Sequence, residues 1–528
     1  MQGFLEAGVD RISKQIPKWI IFFHIGNKIS NATLSFDKET LRLLNLSDSI
    51  QNIPFSSSDI QSIFSQITRY WENRGHPFVS TRLQIIDIVE QDIFARVLVN
   101  KGQQILFDSI EVQGNAKVSP RYLAALTQIK PNNPYNESLV KEIDKLLRTL
   151  PFIKLTQPST IVFIGNRAKP MLYLEHKNND FVDGIIGFAP PSTGSSSTNK
   201  LLITGELRIK LGNMFKGGQS LDANIRFFNE RSQEFKLITE IPYIFGSNIG
   251  LEIGGSGLKY DTLFSQMQGR LGISYAMNGK DKLKFFFENQ GTSLISVDTN
   301  QIKATKKIPD IQPITVRNYG VEVIFNRLDY IFNPRKGYRI ESSALIGTKS
   351  IRKDSRINAL ALKNSGGEFF NIYDSIRMNM LQYRYRLLIE KYTQIGKTST
   401  IKTSAQSEGI YSPTIFFNEL IRFGGVYSLR GFNEQSLFAS NYTMVTLEYR
   451  YLLSQNANIF AFWNGAYYED KSMTRTNTKH DFPFGFGFGA NLETGVGVLT
   501  LAYALGRENQ NPIKFQSGKF HFGLIGLF

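Results

Sequence analysis

Chemistry on a polypeptide needs a nucleophile, a proton-transfer group or a metal ligand held beside a second such group. The five histidines, His24, His76, His176, His480 and His521, lie far apart, and none stands at metal-ligand spacing from another. The chain has no cysteine, which removes disulfides, thiolate metal sites and a cysteine nucleophile together. No serine occupies a nucleophile elbow, and Gly254-Gly255-Ser256-Gly257 reads as a glycine-rich turn without the register of a phosphate loop. Catalysis, a bound metal and an organic cofactor are therefore not expected. One segment offers chemistry of a different kind: Gly424-Gly425-Val426-Tyr427-Ser428-Leu429-Arg430-Gly431-Phe432. The guanidinium of Arg430 is charged at any ordinary pH, so wherever it is enclosed it needs carboxylate or carbonyl partners. On local pattern alone the segment also reads as a surface turn, with Gly431 supplying the bend.

The elements that must position these residues begin with composition. A chain of 528 residues that is 41% hydrophobic is expected to fold. Its nearest approach to a membrane-spanning helix is the short run from Trp19 to Phe23, so any membrane crossing must use strands. The 41 Phe, 22 Tyr and 43 Gly suit strands with aromatic girdles and tight turns. The formal charge of +16 is spread along the chain with no concentrated basic segment. Nucleic acid is therefore not the expected partner; the cations are expected to solvate loops, line a polar lumen or face anionic lipid head groups. Met1 to Asp10 lacks the basic, apolar and small-residue order of a secretory signal.

Between about residues 20 and 178 helical and strand periods alternate. Ser57 to Asp59 offers helix caps before Ile60, Ile63, Phe64, Ile67 and Trp71, spaced as one amphipathic helix that Gly75 and Pro77 end. Strands are predicted over Thr81 to Ile88 and Ile93 to Val99. A second unit opens with a strand over Ile105 to Val112 and turns at Gly114 and Asn115. Two helices follow, the later one marked by Leu139, Ile143, Leu146, Leu147 and Leu150, and strands near Ile153 to Ile164 and Met171 to His176 complete the unit. Gly3 to Ile16 is only weakly amphipathic.

From about Phe181 the helical period disappears. Phe482, Phe484, Phe486 and Phe488 alternate with Pro483, Gly485 and Gly487, and Phe520, Phe522, Leu524 and Phe528 repeat the pattern at the end, with Gly526 interrupting. An aromatic face backed by a Gly-rich or polar one suits lipid outside and a wet lumen within. Roughly 345 residues in strands of about ten, with their turns and loops, allow about sixteen strands. Hydrocarbon leaves unpaired backbone unsatisfied, so the sheet must close, with Gly518 to Phe528 pairing the strand near Phe181 to Phe188. Gly184 and Gly187 interrupt one side of that seam and Gly523 and Gly526 the other, which would let it open laterally; the same glycines also fit curvature or neighbouring aromatics.

Several motifs, in order, resemble the BamA/TamA superfamily of outer-membrane assembly and protein-translocation barrels, which also contains the two-partner secretion transporters. The segment through Arg430, Gly431 and Phe432 looks like that family's inward-loop signature. Thr446-Leu447-Glu448-Tyr449-Arg450-Tyr451 is similar to the strand that follows it. Leu211 to Phe215, Pro242 to Gly246 and the stretch from Asp329 to Gly337, with Phe332, Pro334 and Lys336, resemble other family strands and hairpins. His521 to Phe528 resembles the family's C-terminal assembly signal, departing from it at Gly526. Tyr70 to Pro77 and Val112 to Asn115 resemble polypeptide-transport-associated (POTRA) domains.

The resemblance implies α+β POTRA domains in the periplasm followed by an all-β barrel of about 16 antiparallel strands in a bacterial outer membrane. The implied division is an N-terminal segment of unclear role (1–20), a POTRA-like domain (21–103), a POTRA domain (104–178) and the barrel (179–528). It also implies that Arg430 reaches inward acidic residues of neighbouring strands, at the positions of Glu448 and Asn464. Asn464 stands where the family has Asp, so it offers a neutral hydrogen bond in place of an ion pair, and Gly465-Ala466 reverses the usual small pair. The expected function is insertion of outer-membrane proteins, with two-partner secretion as the alternative. The expected partners are unfolded outer-membrane or secreted proteins, outer-membrane lipids, and accessory lipoproteins or periplasmic chaperones. Substrate capture is expected at a POTRA sheet edge near Leu155, Ile161 and Phe163, where an extended chain can add as a further strand; an ordinary paired strand fits the same residues.

Overall fold

The computed structural model describes the chain except residues 1–3, 5–6, 16–17, 45–49, 190–201, 230, 279–280, 331–332, 365, 427, 474–478, 495–496, 509–512, 514 and 528. Its contacts divide it into two units, Met1–Ala116 with Leu123–Glu175, and Lys117–Tyr122 with His176–Phe528.

The first unit opens with a hairpin, β1 (Gly8–Gln15) against β2 (Lys18–His24). The apolar run from Trp19 to Phe23 therefore pairs as a strand across the expected boundary at residue 20, and within the weakly periodic stretch Gly3 to Ile16 the segment Gly8–Gln15 is its partner strand, while Gly3, Leu5, Glu6 and Ile16 lie outside the described residues. A mixed sheet follows, in the order β4 (Ile50–Pro54), β3 (Asn31–Ser35), β6 (Asp92–Asn100), β5 (Ser80–Val89). Its helices are α1 (Lys38–Leu44) and α2 (Ser57–Glu72). The cap of α2 is Ser56, one residue before the expected stretch; its hydroxyl accepts from the Asp59 N–H at 3.2 Å. Ile67 and Trp71 bury against Ala32, Leu34, Ile93 and Val97, as their three- and four-residue spacing requires.

The second sheet centres on β11 (Arg167–His176). β10 (Thr160–Ile164) pairs it antiparallel on one side, and β7 (Leu106–Phe107) and β8 (Glu111–Gln113) pair it parallel on the other; β9 (Ile153–Leu155) also pairs β11. The single strand expected over Ile105 to Val112 is thus two short ones, because the register against β11 shifts by one residue between Ala168↔Phe107 and Met171↔Glu111. Helices α3 (Pro120–Thr127) and α4 (Glu137–Leu147) lie between β8 and β9 in the chain, and α4 packs on β9 and buries Ile143 and Leu147. Burial pushes the Tyr135 phenol above its ordinary range, so its hydroxyl stays protonated and donates to Glu137.

The second unit is a closed antiparallel barrel of 16 strands running from Phe181–Ala189 to Lys519–Leu527. Two short segments, Lys479–Asp481 and Phe484–Thr494, act as one strand, since both pair with Asn458–Asp470. The break between them holds Pro483, which has no N–H to give a ladder. Closure runs from Phe181↔Leu527 to Phe188↔Phe520. On the wall facing out, Phe482, Phe486, Phe488, Phe520 and Phe522 are exposed, as a surface in hydrocarbon requires. Inside, Lys284 bridges Glu240 (2.9 Å) and Glu252 (2.5 Å), and Arg270 bridges Glu252 (2.9 Å) and Glu322 (3.1 Å), so buried charge is met by opposite charge.

The two barrel ends differ. Connections at the end where the first strand begins and the last finishes are short, such as 396–398 and 453–457. The other end carries long ones, 295–313, 352–378 and 412–440. There Ile302, Ile308, Ile357, Leu362, Ile372, Tyr373 and Phe416 form a small buried core with Val316, Ile351 and Met380 of the wall.

Candidate functional site: the inward loop and the barrel seam

The connection 412–440 folds into the lumen as a small hairpin, Ile421–Phe423 paired with Leu437–Ala439. Phe423 stacks on Tyr442 of the wall, ring centroids 4.6 Å apart, and Leu429, Phe432, Leu437, Ala439, Met444 and Tyr468 complete an apolar cluster at its base. At the tip the Gly424 N–H donates to the Ser428 hydroxyl (2.8 Å) and the Val426 N–H to the Glu434 carboxylate (2.7 Å). The Gly425 N–H in turn donates to the Leu429 carbonyl at 3.1 Å, which folds the chain back just before Arg430. Tyr427, at the centre of the motif, lies outside the described residues.

The Arg430 guanidinium meets the Glu448 carboxylate at 2.7 Å and lies 3.5 Å over the Phe462 ring. Arg450 shares Glu448 from its other side, also at 2.7 Å. Asn464 is fully buried, and its amide N–H donates to the Ser428 carbonyl at 3.0 Å. It thus holds the loop backbone rather than the arginine side chain. An aspartate in its place would have no donor for that carbonyl. The departure of Asn464 from the family pattern thus has a local reason in this chain.

Glycines make the close approach possible. Gly431 has φ +95 and its own Cβ would sit 2.5 Å from the Leu505 carbonyl, so both conformation and space exclude a side chain. A Cβ on Gly485 would run into the Arg430 carbonyl oxygen, and one on Gly506 would lie 2.6 Å from that of Gly431. Gly485, on the small side of the Phe-Gly alternation, and Gly506 on the neighbouring strand are therefore the rail on which the loop rests. Arg430, Gly431, Phe432, Glu448 and Asn464 form one site. Arg450 is the member that sequence reasoning missed, and its signal was its position two residues beyond Glu448 on the same strand face.

The seam residues meet across one ladder: Gly184 faces Leu524, Gly187 faces His521, Gly523 faces Ile185 and Gly526 faces Val182. Phe528 lies outside the described residues. Gly523 is needed, since a Cβ there would lie 2.9 Å from Ile185, whereas a Cβ on Gly184 would meet nothing within 4 Å. The loop also borders a polar lumen cavity of about 640 Å³, lined by Arg226, Glu234, Arg384, Arg386, Glu408 and Arg422. Among the described residues no group of His, Asp and Glu is arranged to hold a metal.

In the first unit, β10 is an edge of its sheet. Of the expected capture residues, Ile161 lies on that edge, Leu155 lies on β9, and Phe163 turns its ring against Phe78 (4.8 Å) and Tyr135 (5.8 Å). Val162, Phe163 and Ile164 are all exposed on β10. β5 is an edge of the other sheet, and it exposes Ile85, Ile86, Ile88 and Val89. Sequence reasoning missed this second edge, although the run Ile85-Ile86-Asp87-Ile88-Val89 signalled it.

No protein-family model and no curated protein sequence matches the chain. Solved structures do. CdiB from Acinetobacter baumannii matches at 12% identity and a TM-score of 0.59, over 96% of this chain and 91% of that one. CdiB from Escherichia coli matches at 13% identity and 0.56, over 94% and 90%. BamA from Haemophilus ducreyi lacking POTRA domains 1–3 gives 15% identity and 0.48, over 94% and 99%. The chain has the fold of the CdiB structures; its α+β unit is followed in sequence by a closed 16-stranded barrel, the architecture implied by its resemblance to the BamA/TamA superfamily.

Proposed function

We propose that this protein is a non-enzymatic outer-membrane assembly factor, which receives unfolded barrel proteins at POTRA sheet edges and inserts them at the seam between its first and last strands. The observation that carries the reading is that the lumen is occupied by the protein's own loop, held through Arg430 and Glu448. The seam, interrupted by Gly184, Gly187, Gly523 and Gly526, is then the route left to a client. In this reading the end with short turns faces the periplasm and the end with long loops the exterior. Exposed edges β5 and β10 accept an extended client as an added strand with little demand on its sequence. The client then exchanges hydrogen bonds strand by strand at the seam. No nucleotide is required, because burial of lipid-facing surface and pairing of backbone drive insertion. Outer-membrane lipids surround the wall, and accessory lipoproteins or periplasmic chaperones are the expected further partners.

A second reading, two-partner secretion of one exported protein through the lumen, is supported by the likeness to the CdiB barrels. Depletion of the protein followed by profiling of the outer membrane separates the two. General loss of barrel proteins is the expected result. Loss of a single secreted protein, with the other barrels intact, replaces insertion with transport.

A further inference from the structure

The stem of the inward loop carries an ionic contact of its own. Lys349, on the strand Gly337–Ile351, is completely buried, and its ammonium pairs with the Glu419 carboxylate and donates to the Thr414 carbonyl at 2.6 Å. The Glu419 carboxylate also accepts from the Gln382 amide (2.8 Å) and from the Phe416 N–H (2.9 Å). The Lys349 ammonium lies 4.8 Å from the Phe416 ring centroid. Next to this pair, the Asn418 side-chain amide accepts from the Gln312 N–H (3.1 Å) and donates to the Gln312 carbonyl (3.0 Å), and the Phe417 N–H donates to the Asp310 carbonyl at 2.9 Å.

We propose that the loop 412–440 is fastened at two points, with Lys349–Glu419 as the second: a positioning pair that sets where the stem leaves the wall, and so whether Arg430 reaches Glu448. Apolar packing at the stem would tolerate sliding. Two fully desolvated charges do not, because each is compensated only when the other and its hydrogen-bond partners are seated. The wall side of the pair is rigid, since Lys349 and Gln382 stand on adjacent paired strands, with Lys349 opposite Met380. The loop side is short: Thr414, Phe416 and Glu419 all contribute, so seating the carboxylate fixes the direction in which the chain enters the lumen. This role is the same for insertion and for secretion, and it rests on the docked loop rather than on either cargo route.

The test uses the full chain in detergent or nanodiscs. Trypsin cleaves after Arg422 and Arg430, which it can reach only when the loop leaves the lumen, and resistance of the barrel to SDS before heating reports the wall separately. Lys349→Met is expected to speed cleavage at these two sites by about tenfold or more, because Glu419 is left buried without its cation, while the barrel stays SDS-resistant. The double variant Lys349→Met with Glu419→Gln is expected to recover much of the protection, since Gln still accepts from Phe416 and no charge is left alone. Parental protection in Lys349→Met overturns the proposal. So does a double variant whose cleavage rate is the product of the two single effects, which would show that the residues are not coupled. The cleavage result stands or falls independently of the depletion experiment, so failure of this inference and failure of the functional reading are distinguishable.

Discussion

Replacing Arg430 with alanine removes two contacts and leaves a third standing, which fixes the size of the effect. The lost contacts are the 2.7 Å ion pair to Glu448 and the stacking on Phe462. The remaining one is Arg450 on Glu448, so the carboxylate is not stranded and the full penalty of an orphaned buried charge does not apply. A charge-assisted bond contributes about 2 kcal/mol, and a desolvated cation–π contact about 2 kcal/mol. Their sum, about 4 kcal/mol, raises the undocked fraction of the loop tip by roughly a thousandfold. Asn464→Ala removes one neutral bond worth about 1 kcal/mol, or about fivefold. Hydrogen exchange of the amides between 424 and 436 measures both, and growth under complementation should rank the variants in the same order. Equal exchange in the two variants, or parental function in Arg430→Ala, refutes the assignment of Arg430 as the tip anchor.

Two further substitutions probe the same contact surface, and a third, at the seam, is their control. Asn464→Asp introduces the residue that the resemblance implies at this position, yet it should loosen the loop more than Asn464→Ala, by about 2 kcal/mol or more, because it sets a buried carboxylate against the Ser428 carbonyl. Parental exchange protection in that variant would mean that Arg430 had taken the new carboxylate as a partner. Gly485→Ala should destabilise the docked loop by about 1–3 kcal/mol, since its methyl group meets the Arg430 carbonyl. Gly184→Ala, with open space around it, should match the parent in loop protection and gain about 0.5 kcal/mol in the strand. Similar loop exchange in the two glycine variants would remove the rail from the account.

What the sequence revealed and what it hid follow from the range of the interactions. Ile60, Ile67 and Trp71 repeat on one helix face, and Phe484, Phe486 and Phe488 alternate on one strand face; a period is local, so α2 and the barrel wall were legible. The pairing partner of a strand is not local, and the break at Pro483 became meaningful only once Asn458–Asp470 was seen beside both segments. The weak pattern of Gly3 to Ile16 fits either period, and only β2 decides it. The loop core of Ile302, Ile357 and Tyr373 joins separate connections whose residues carry no shared spacing. Arg430 and Glu448 were visible through motif resemblance. The sharing of Glu448 with Arg450, and the pair Lys349–Glu419, depend on strand register and a loop's path, which no spacing encodes.

The placement of these contacts bears on the choice between seam and lumen. For a chain to pass along the lumen, the loop must first give up the Arg430–Glu448 pair, the seat of Gly431 against Leu505, and the stem contact at Glu419. Each of these is desolvated, and nothing in an unfolded client offers a matching replacement in sequence-independent form. At the seam the situation is reversed. The ladder from Phe181↔Leu527 to Phe188↔Phe520 is backbone, and any extended strand presents the same donors and acceptors at the same spacing. Exchanging one strand for another returns each hydrogen bond as it is lost, so the net cost is that of the side-chain contacts alone, and Gly184 contributes none within 4 Å. On the proposed insertion reading, a loop locked by specific charges beside a seam closed by backbone pairing would open sideways before it opened along its axis.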